Sequence, residues 1–227
     1  MVTGERREIR RNQTIDEILA IAVSVMAESG AAALSLSEVA RRLGIRPPSL
    51  YKYFPSRLAL YDRLFADGQQ RYLDEFRGGA AGAEPGLPAL AAALDAGGRW
   101  AMANQALTQL LFWRPVPGFT PSAEAFAPSL AMVDDVRRML GEAVARGQVG
   151  PGAASEEGVT LLSILVTGVL SQQLANGPDE TFEQGRFTRL APRVFAMFRD
   201  HYPATEESHD NRRPHRTPAT APVRRRP

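Results

Sequence analysis

The stretch VARRLGIRPPSLYKYFPSR, residues 39–57, holds five cations between Arg41 and Arg57 and no carboxylate. A solvated helix normally mixes signs, and a core helix does not carry Arg41, Arg42, Arg46, Lys52 and Arg57 together. Punctuation divides the stretch into two short helices. Just upstream, Ser35 and Glu38 have the S-x-x-E spacing of a capping box, with Leu34 and Val39 placed as its hydrophobic staple. Leu36, Val39, Ala40 and Leu43 give this helix its buried face, and Gly44 supplies the left-handed residue that ends it. Arg46 precedes a proline and is therefore extended. Pro47 and Pro48 suit a first helical turn, where a missing N–H has no partner to lose. The Phe54-Pro55 pair closes the segment. Each helix has about two turns, too few to stand alone, so both must pack on neighbours.

Outward from this pair, Ile15, Ile18, Leu19, Ala22 and Met26 form one apolar stripe at helical spacing, with Thr14 expected as cap and Gly30 as terminator. Three amphipathic helices, the last two joined by a tight glycine turn, are a helix-turn-helix candidate. At about 100° per residue, Leu50 and Phe54 face inward. Lys52 and Ser49 face outward, Pro48 lies at the edge, and Tyr51 and Tyr53 occupy the shoulders. Such a face suits the DNA major groove, with lysine donating to guanine and tyrosine hydroxyls to phosphates. Arg41, Arg42, Arg46 and Arg57 are expected to neutralise backbone charge. Any one of these residues alone reads more simply as part of a solvated basic face; the combination carries the inference.

Residues 15–60 resemble the DNA-binding part of TetR-family transcriptional regulators. The residues that carry the likeness are Gly30, Ser35, "VARRLGI" (39–45) and "LYKYFPSRLAL" (50–60). The resemblance implies that Ser35 caps the second helix beside a phosphate. It places Ser49, Tyr51, Lys52 and Tyr53 along the recognition helix, and gives Arg57 the place of a backbone-contacting lysine. Arg46 stands where the family usually has a Ser or Thr cap, and the two prolines replace small or polar residues.

The rest of the chain also reads as helix. Segments are expected over 57–77, 87–113 (weakened by Gly97 and Gly98), 122–147 (bent by Pro128), 153–175 and 179–200, the last capped by Asp179. Residues 78–86 read as a flexible break and 114–122 as a rigid loop. The expected fold is all-α: an N-terminal three-helix helix-turn-helix domain (1–56) joined through a long fourth helix to a C-terminal helical bundle (57–202), then a disordered basic tail (203–227). In that tail Arg224, Arg225 and Arg226 offer loose DNA affinity, or simply a solvated end. The resemblance, weaker in this half, implies homodimerisation through two C-terminal helices. An all-round apolar helix needs burial on several sides, so 153–175 and 179–200 are the expected interface; the alternative is that 153–175 is only a central core helix. The family also implies a cavity for a small-molecule effector. Trp100, Phe112, Trp113 and Met132, with Met102, Phe119 and Phe126, are candidates to line it and suggest an apolar or aromatic effector, although such sets at helical spacing are usually core.

Charge supports a partner at the ends. Net charge is +3 over residues 1–60, −4 over 61–202 and +3 over 203–227, so the basic termini suit an anionic partner. No cysteine is present, which removes disulfides and thiolate chemistry and fits a reducing, cytoplasmic setting. The longest apolar run, 159–170, is interrupted by polar residues and is too short to span a bilayer. The N-terminal "ILAIAVSVMA" imitates a secretory signal, but Glu5, Glu8, Asp16 and Glu17 and its helical period argue against one. The three histidines, His201, His209 and His215, fall at or beyond the last helix. No nucleophile elbow or phosphate loop is present, and the adjacent carboxylates Asp134-Asp135 and Glu156-Glu157 diverge on their helices. No catalytic residue, metal or cofactor is therefore expected. A ligand-responsive repressor of double-stranded DNA is the leading reading; a DNA-binding architectural or partner-binding protein without an effector is the alternative.

Overall fold

In the computed structural model, which describes residues 2–204, the chain forms nine α-helices and, among the described residues, no strand. They are α1 Val2–Ser29, α2 Leu36–Arg42, α3 Pro47–Leu50, α4 Arg57–Ala80, α5 Leu87–Ala103, α6 Gln105–Trp113, α7 Ala123–Ala145, α8 Glu156–Asn176 and α9 Ala191–His201. The expected tail, with Arg224, Arg225 and Arg226, lies outside the described residues from 205 onward.

The first three helices follow the punctuation closely. The Ser35 hydroxyl accepts from the Glu38 N–H at 3.3 Å to cap α2. Leu34 and Val39 are fully buried beside that cap. Gly44 adopts φ +71° and ends the helix. Arg46 is extended at φ −72°, ψ 141°, and Pro47 opens α3. Two details differ. Thr14 caps nothing: its hydroxyl donates to the Arg10 carbonyl inside a helix that already began at Val2. Residues 5–13 contain no breaker, and a threonine inside a helix commonly bonds the carbonyl four residues back. The other difference is α3, which has only four helical residues and goes on as turns closed by Tyr53 N–H and Phe54 N–H on the Leu50 carbonyl, at 2.9 and 3.0 Å. Pro55 brings no N–H and holds Phe54 away from helical angles, so the helix cannot lengthen.

One apolar cluster joins α1, α2, α3 and the first half of α4 to α6 and to Val116, Phe119 and Ala125. Packing is thus continuous across residue 56, and the division there suggested by the sequence is not a break in the core. A second cluster gathers Phe76 with α5, α7, α8 and Phe198 of α9. Helix α4, about 36 Å long at 1.5 Å per residue, belongs to both. Asp62 of α4 accepts from the Ser122 N–H (2.7 Å) and hydroxyl (2.8 Å), and Arg77 pairs with Asp135 at 2.7 Å, so α7 is fastened to α4 at two levels.

Two expectations in this half are corrected. The 87–113 helix is two helices, and its break falls at Asn104 (φ −123°, ψ 49°), not at Gly97-Gly98. Pro128 lies inside α7, near its start. The last helix begins at Ala191 rather than 179, and Asp179 caps nothing. Its cause is the buried Gln173 of α8. The Gln173 Oε1 accepts from the N–H groups of Phe187 and Thr188, and its amide nitrogen donates to Gly177 O and to Glu180. Backbone donors that a helix over 179–190 would use internally are bound to this side chain instead. By length and mean hydropathy (1.5) α8 matches a membrane span, but a third of that window is buried against the other helices. Gln173 is fully buried and the outer face carries Thr160, Ser163 and Gly168.

Candidate nucleic-acid interface and effector cavity

Residues 46–57 form one protruding surface. Leu50 and Phe54 are buried in the first cluster. Burial fixes the opposite side outward, where Pro48, Tyr51 and Lys52 are exposed, Tyr51 by 52%. Ser49 and Tyr53 are half-buried on the flanks, and Arg46 and Arg57 are exposed at the two ends. Among the described residues Arg46, Lys52 and Arg57 form no ion pair, so the surface presents three uncompensated cations around a phenol. Ser35 is half-buried at the α2 cap. The Ser56 hydroxyl caps α4, accepting from the Ala59 N–H at 3.1 Å.

Arg41 and Arg42 are not part of that free charge. Arg42 donates to both Glu28 oxygens at 2.6 Å and to Glu38 at 2.7 Å, and Arg41 donates to both Glu38 oxygens at 2.8 Å. The Arg42 hydrogen bonds, then one from Ser24, hold the Glu28 carboxyl at about 2. Arg41, then Arg42, do the same for Glu38, also at about 2. The two arginines brace α2 against α1. Glu38 could be found from its spacing to both; Glu28, fourteen residues from Arg42, could not.

The protruding surface connects inward through aromatic rings. Tyr61 of α4 is fully buried and donates its hydroxyl to the Ala31 carbonyl, at the turn before α2. Its ring lies 5.7 Å from Phe119, which lies 6.1 Å from Phe65, which stacks at 6.1 Å on Phe126 of α7. These spacings are those of attractive aromatic pairs. Phe126 in turn lines a partly open cavity of about 300 Å³ between α4, α5, α6, α7 and α8.

That cavity is mainly apolar, with Tyr72, Phe76, Phe112, Met132 and Val166 in its walls and Gln69, Arg114, Ser129, Ser163 and Thr167 as polar points. Of the four residues expected to line an effector site, Phe112 and Met132 do so. Trp100 stands one layer back, its ring 5.5 Å from that of Tyr72. Trp113 faces outward, 40% exposed, and its indole N–H donates to Ser171 at 2.9 Å. Sequence reasoning missed Tyr72 as a cavity residue; burial pushes its hydroxyl up to about 12. It also missed Gln69, buried three residues earlier on the same face. A larger cavity of about 510 Å³ lies across α8, between α5 and α9, and shares Leu94, Leu162 and Val166 as a wall. No residue of α4 lines it.

Residues 18–64 match the family model described as "Bacterial regulatory proteins, tetR family". Several solved structures share the whole architecture. A protein of unknown function from Rhodococcus sp. RHA1 is 25% identical, with a TM-score of 0.69 over 84% of this chain and 95% of its own. The TetR family transcriptional regulator PfmR from Thermus thermophilus is 19% identical, with a TM-score of 0.63 over 81% and 97%. SmeT, solved in complex with triclosan, is 17% identical, with a TM-score of 0.63 over 93% and 100%. No curated protein matches the sequence.

Proposed function

We propose, from the match of residues 18–64 to the tetR family model, that this chain is a TetR-family regulator and a dimeric cytoplasmic repressor released from its operator by an apolar or aromatic small molecule. Residues 1–56 act as the reader, and 57–202 bind the effector and the second copy. Two copies present residues 47–53 to successive major grooves, which calls for a near-palindromic site with half-sites about 34 Å apart. Lys52 reads a base edge. Tyr51 and Tyr53 bond the groove walls, Ser49 and Pro48 pack against the bases, and Ser35, Arg46 and Arg57 meet phosphates. The observation that carries this reading is the outward Lys52 and Tyr51 set directly behind the buried Leu50 and Phe54.

Homodimerisation is assigned to α8 and α9, whose outer sides expose Ile164 and Met197 by 60% and 68%. The effector is assigned to the smaller cavity, with Phe112 and Met132 in its wall and Trp100 behind it. Of the two cavities that flank α8, it is the one lined by residues of α4, the helix that starts at the reader. An effector releases DNA only if it binds more tightly to a form in which the two reading segments are wrongly spaced. The ring series from Phe126 to Tyr61 is the physical connection through which such a form can be selected. The binding of triclosan by SmeT, a protein of the same fold, supports an aromatic apolar ligand as the class to test first.

The test is selection of bound sequences from a random duplex pool, followed by titration of the recovered site. An inverted repeat should emerge. Lys52→Ala should weaken the selected site by about 1–3 kcal/mol and relax preference at one position, whereas Arg57→Ala should weaken all duplexes alike and reduce the salt slope by about one. Absence of any enriched repeat would overturn the reading, and uniform loss in both variants would make Lys52 a phosphate contact.

A further inference from the structure

Arg6, Arg7, Arg10 and Arg11 lie outside the three-helix unit, yet they are part of α1 itself, which runs unbroken from Val2. All four are exposed. Downstream, α1 packs on the core through the stripe that begins at Ile15 and passes through Ile18 and Ala22. At about 100° per residue, Arg11 falls on the line of that stripe and Arg7 about 40° from Arg11, while Arg10 and Arg6 lie about 100° and 140° from it, round the side of the helix. The stripe that holds the core together therefore continues past the core as Arg11 and Arg7, and Arg10 and Arg6 widen it into a basic band over about 140° of the helix. The Arg11 guanidinium lies 5.9 Å from the centre of the Tyr53 ring. This contact sets the overhang beside the end of the recognition segment rather than behind it. From Arg11 to Val2 the helix extends about 14 Å further, at 1.5 Å per residue.

We propose that this overhang of α1 is a second DNA-binding surface, whose arginines close on backbone phosphates outside the major-groove half-site. The proposal rests on the reading that residues 47–53 dock on DNA. Duplex DNA carries one negative charge per about 1.7 Å of axis, so a 14 Å helix with four arginines against two carboxylates, Glu5 and Glu8, keeps an excess of positive charge with which to meet several phosphates along its length. Arginine suits this task because its planar fork binds phosphate oxygens in pairs. The contact lengthens the footprint and strengthens binding to every sequence alike, because phosphates carry no base identity.

The experiment compares the full chain with Arg6→Gln/Arg7→Gln/Arg10→Gln, which spares Arg11 and its contact with Tyr53. Equilibrium binding is measured on the selected site and on a random duplex between 50 and 300 mM salt. Each phosphate contact contributes about 0.9 to the slope of log affinity against log salt. The triple variant of a dimer should lose about 2 to 5 of that slope, with equal fold-losses on both duplexes and the same recovered base preference. Ethylation interference should lose its outermost phosphates, and Arg6→Lys/Arg7→Lys/Arg10→Lys should keep most of the slope. An unchanged slope in a triple variant whose parent binds the selected site overturns the overhang and leaves the recognition reading standing. A changed base preference at flanking positions also overturns it, in favour of groove readout. No duplex binding by the parent protein overturns both.

Discussion

Gly79 shows how much a single missing methyl group can decide. It sits inside α4 where α5 crosses, and a Cβ there would meet the Ala96 methyl at 2.5 Å and the Ala92 carbonyl oxygen at 2.6 Å. The obstacle includes backbone, so it cannot swing aside. Gly79→Ala gains up to about 1 kcal/mol of helix propensity but forces two helices apart, at a cost of about 1–3 kcal/mol. The expected net result is destabilisation by roughly 1 kcal/mol, read as a fall of about 2–4 °C in the thermal midpoint. A raised midpoint would mean that α4 and α5 are less tightly apposed. The sequence reads Gly78-Gly79 as part of a flexible break and Gly97-Gly98 as a weak point. The structure makes three of these close approaches: Gly79 admits α5, a Cβ on Gly97 would lie 3.1 Å from the Tyr72 ring, and one on Gly98 would overlap the Phe182 ring. A glycine's neighbour across a crossing leaves no local trace in the chain. The inward placement of Leu50 and Phe54 was legible for the opposite reason: their spacing of four is itself the signal, and the outward position of Lys52 follows from it.

At the scale of elements, helix ends whose partners are near in sequence were readable and those with distant partners were not. The cap of α2, Ser35, lies three residues from the N–H it serves. The start of α9 depends on Gln173, fourteen residues before Phe187. The brace between α1 and α2 is of the second kind, and it has a pH signature. Glu28 and Glu38 are held at about 2 by the guanidinium groups of Arg42 and Arg41, against an ordinary value near 4.5. Between those values the unfolded chain binds more protons than the folded one, so stability rises with pH there. The contribution is complete above the ordinary carboxylate range and is lost as pH falls towards 2. Melting curves followed by circular dichroism should therefore show a steeper acid limb in the parent than in Glu28→Gln/Glu38→Gln. The double variant should start lower at pH 7 and lose less on acidification. Equal acid limbs would mean that these exposed pairs are solvated at equilibrium, and high salt should shrink the difference because the groups face water.

The whole molecule is organised by what α8 does on its two sides. Its inner side, with Val159, Leu162 and Leu170, is buried among α4, α5, α7 and α9. Its outer side carries Thr160, Ser163, Ile164, Thr167 and Gly168, small residues around one exposed isoleucine, and α9 continues the surface with Met197. Small side chains let helices approach closely, and an apolar group exposed by 60% gains from being covered. Here the sequence distinguished α8 as apolar all round but could not say which side faced inward, because an even distribution has no direction. A charge at Ile164 separates the two roles of the helix. In a lone subunit Ile164→Glu is solvated and should leave helix content and the thermal midpoint of the monomer nearly unchanged. Across a two-fold axis it sets two carboxylates facing each other in an apolar contact, at a cost of several kcal/mol. Dissociation should rise by a hundredfold or more, since each 1.4 kcal/mol is tenfold. Sedimentation should then show monomers at concentrations where the parent is dimeric, and operator affinity should fall with it, because two half-sites are no longer bound together. A variant that stays dimeric would move the interface to the other exposed apolar set, formed by Trp113, Leu130 and Val133. That set borders the smaller cavity through Val133, so dimerisation there would place the effector directly beneath the contact between subunits.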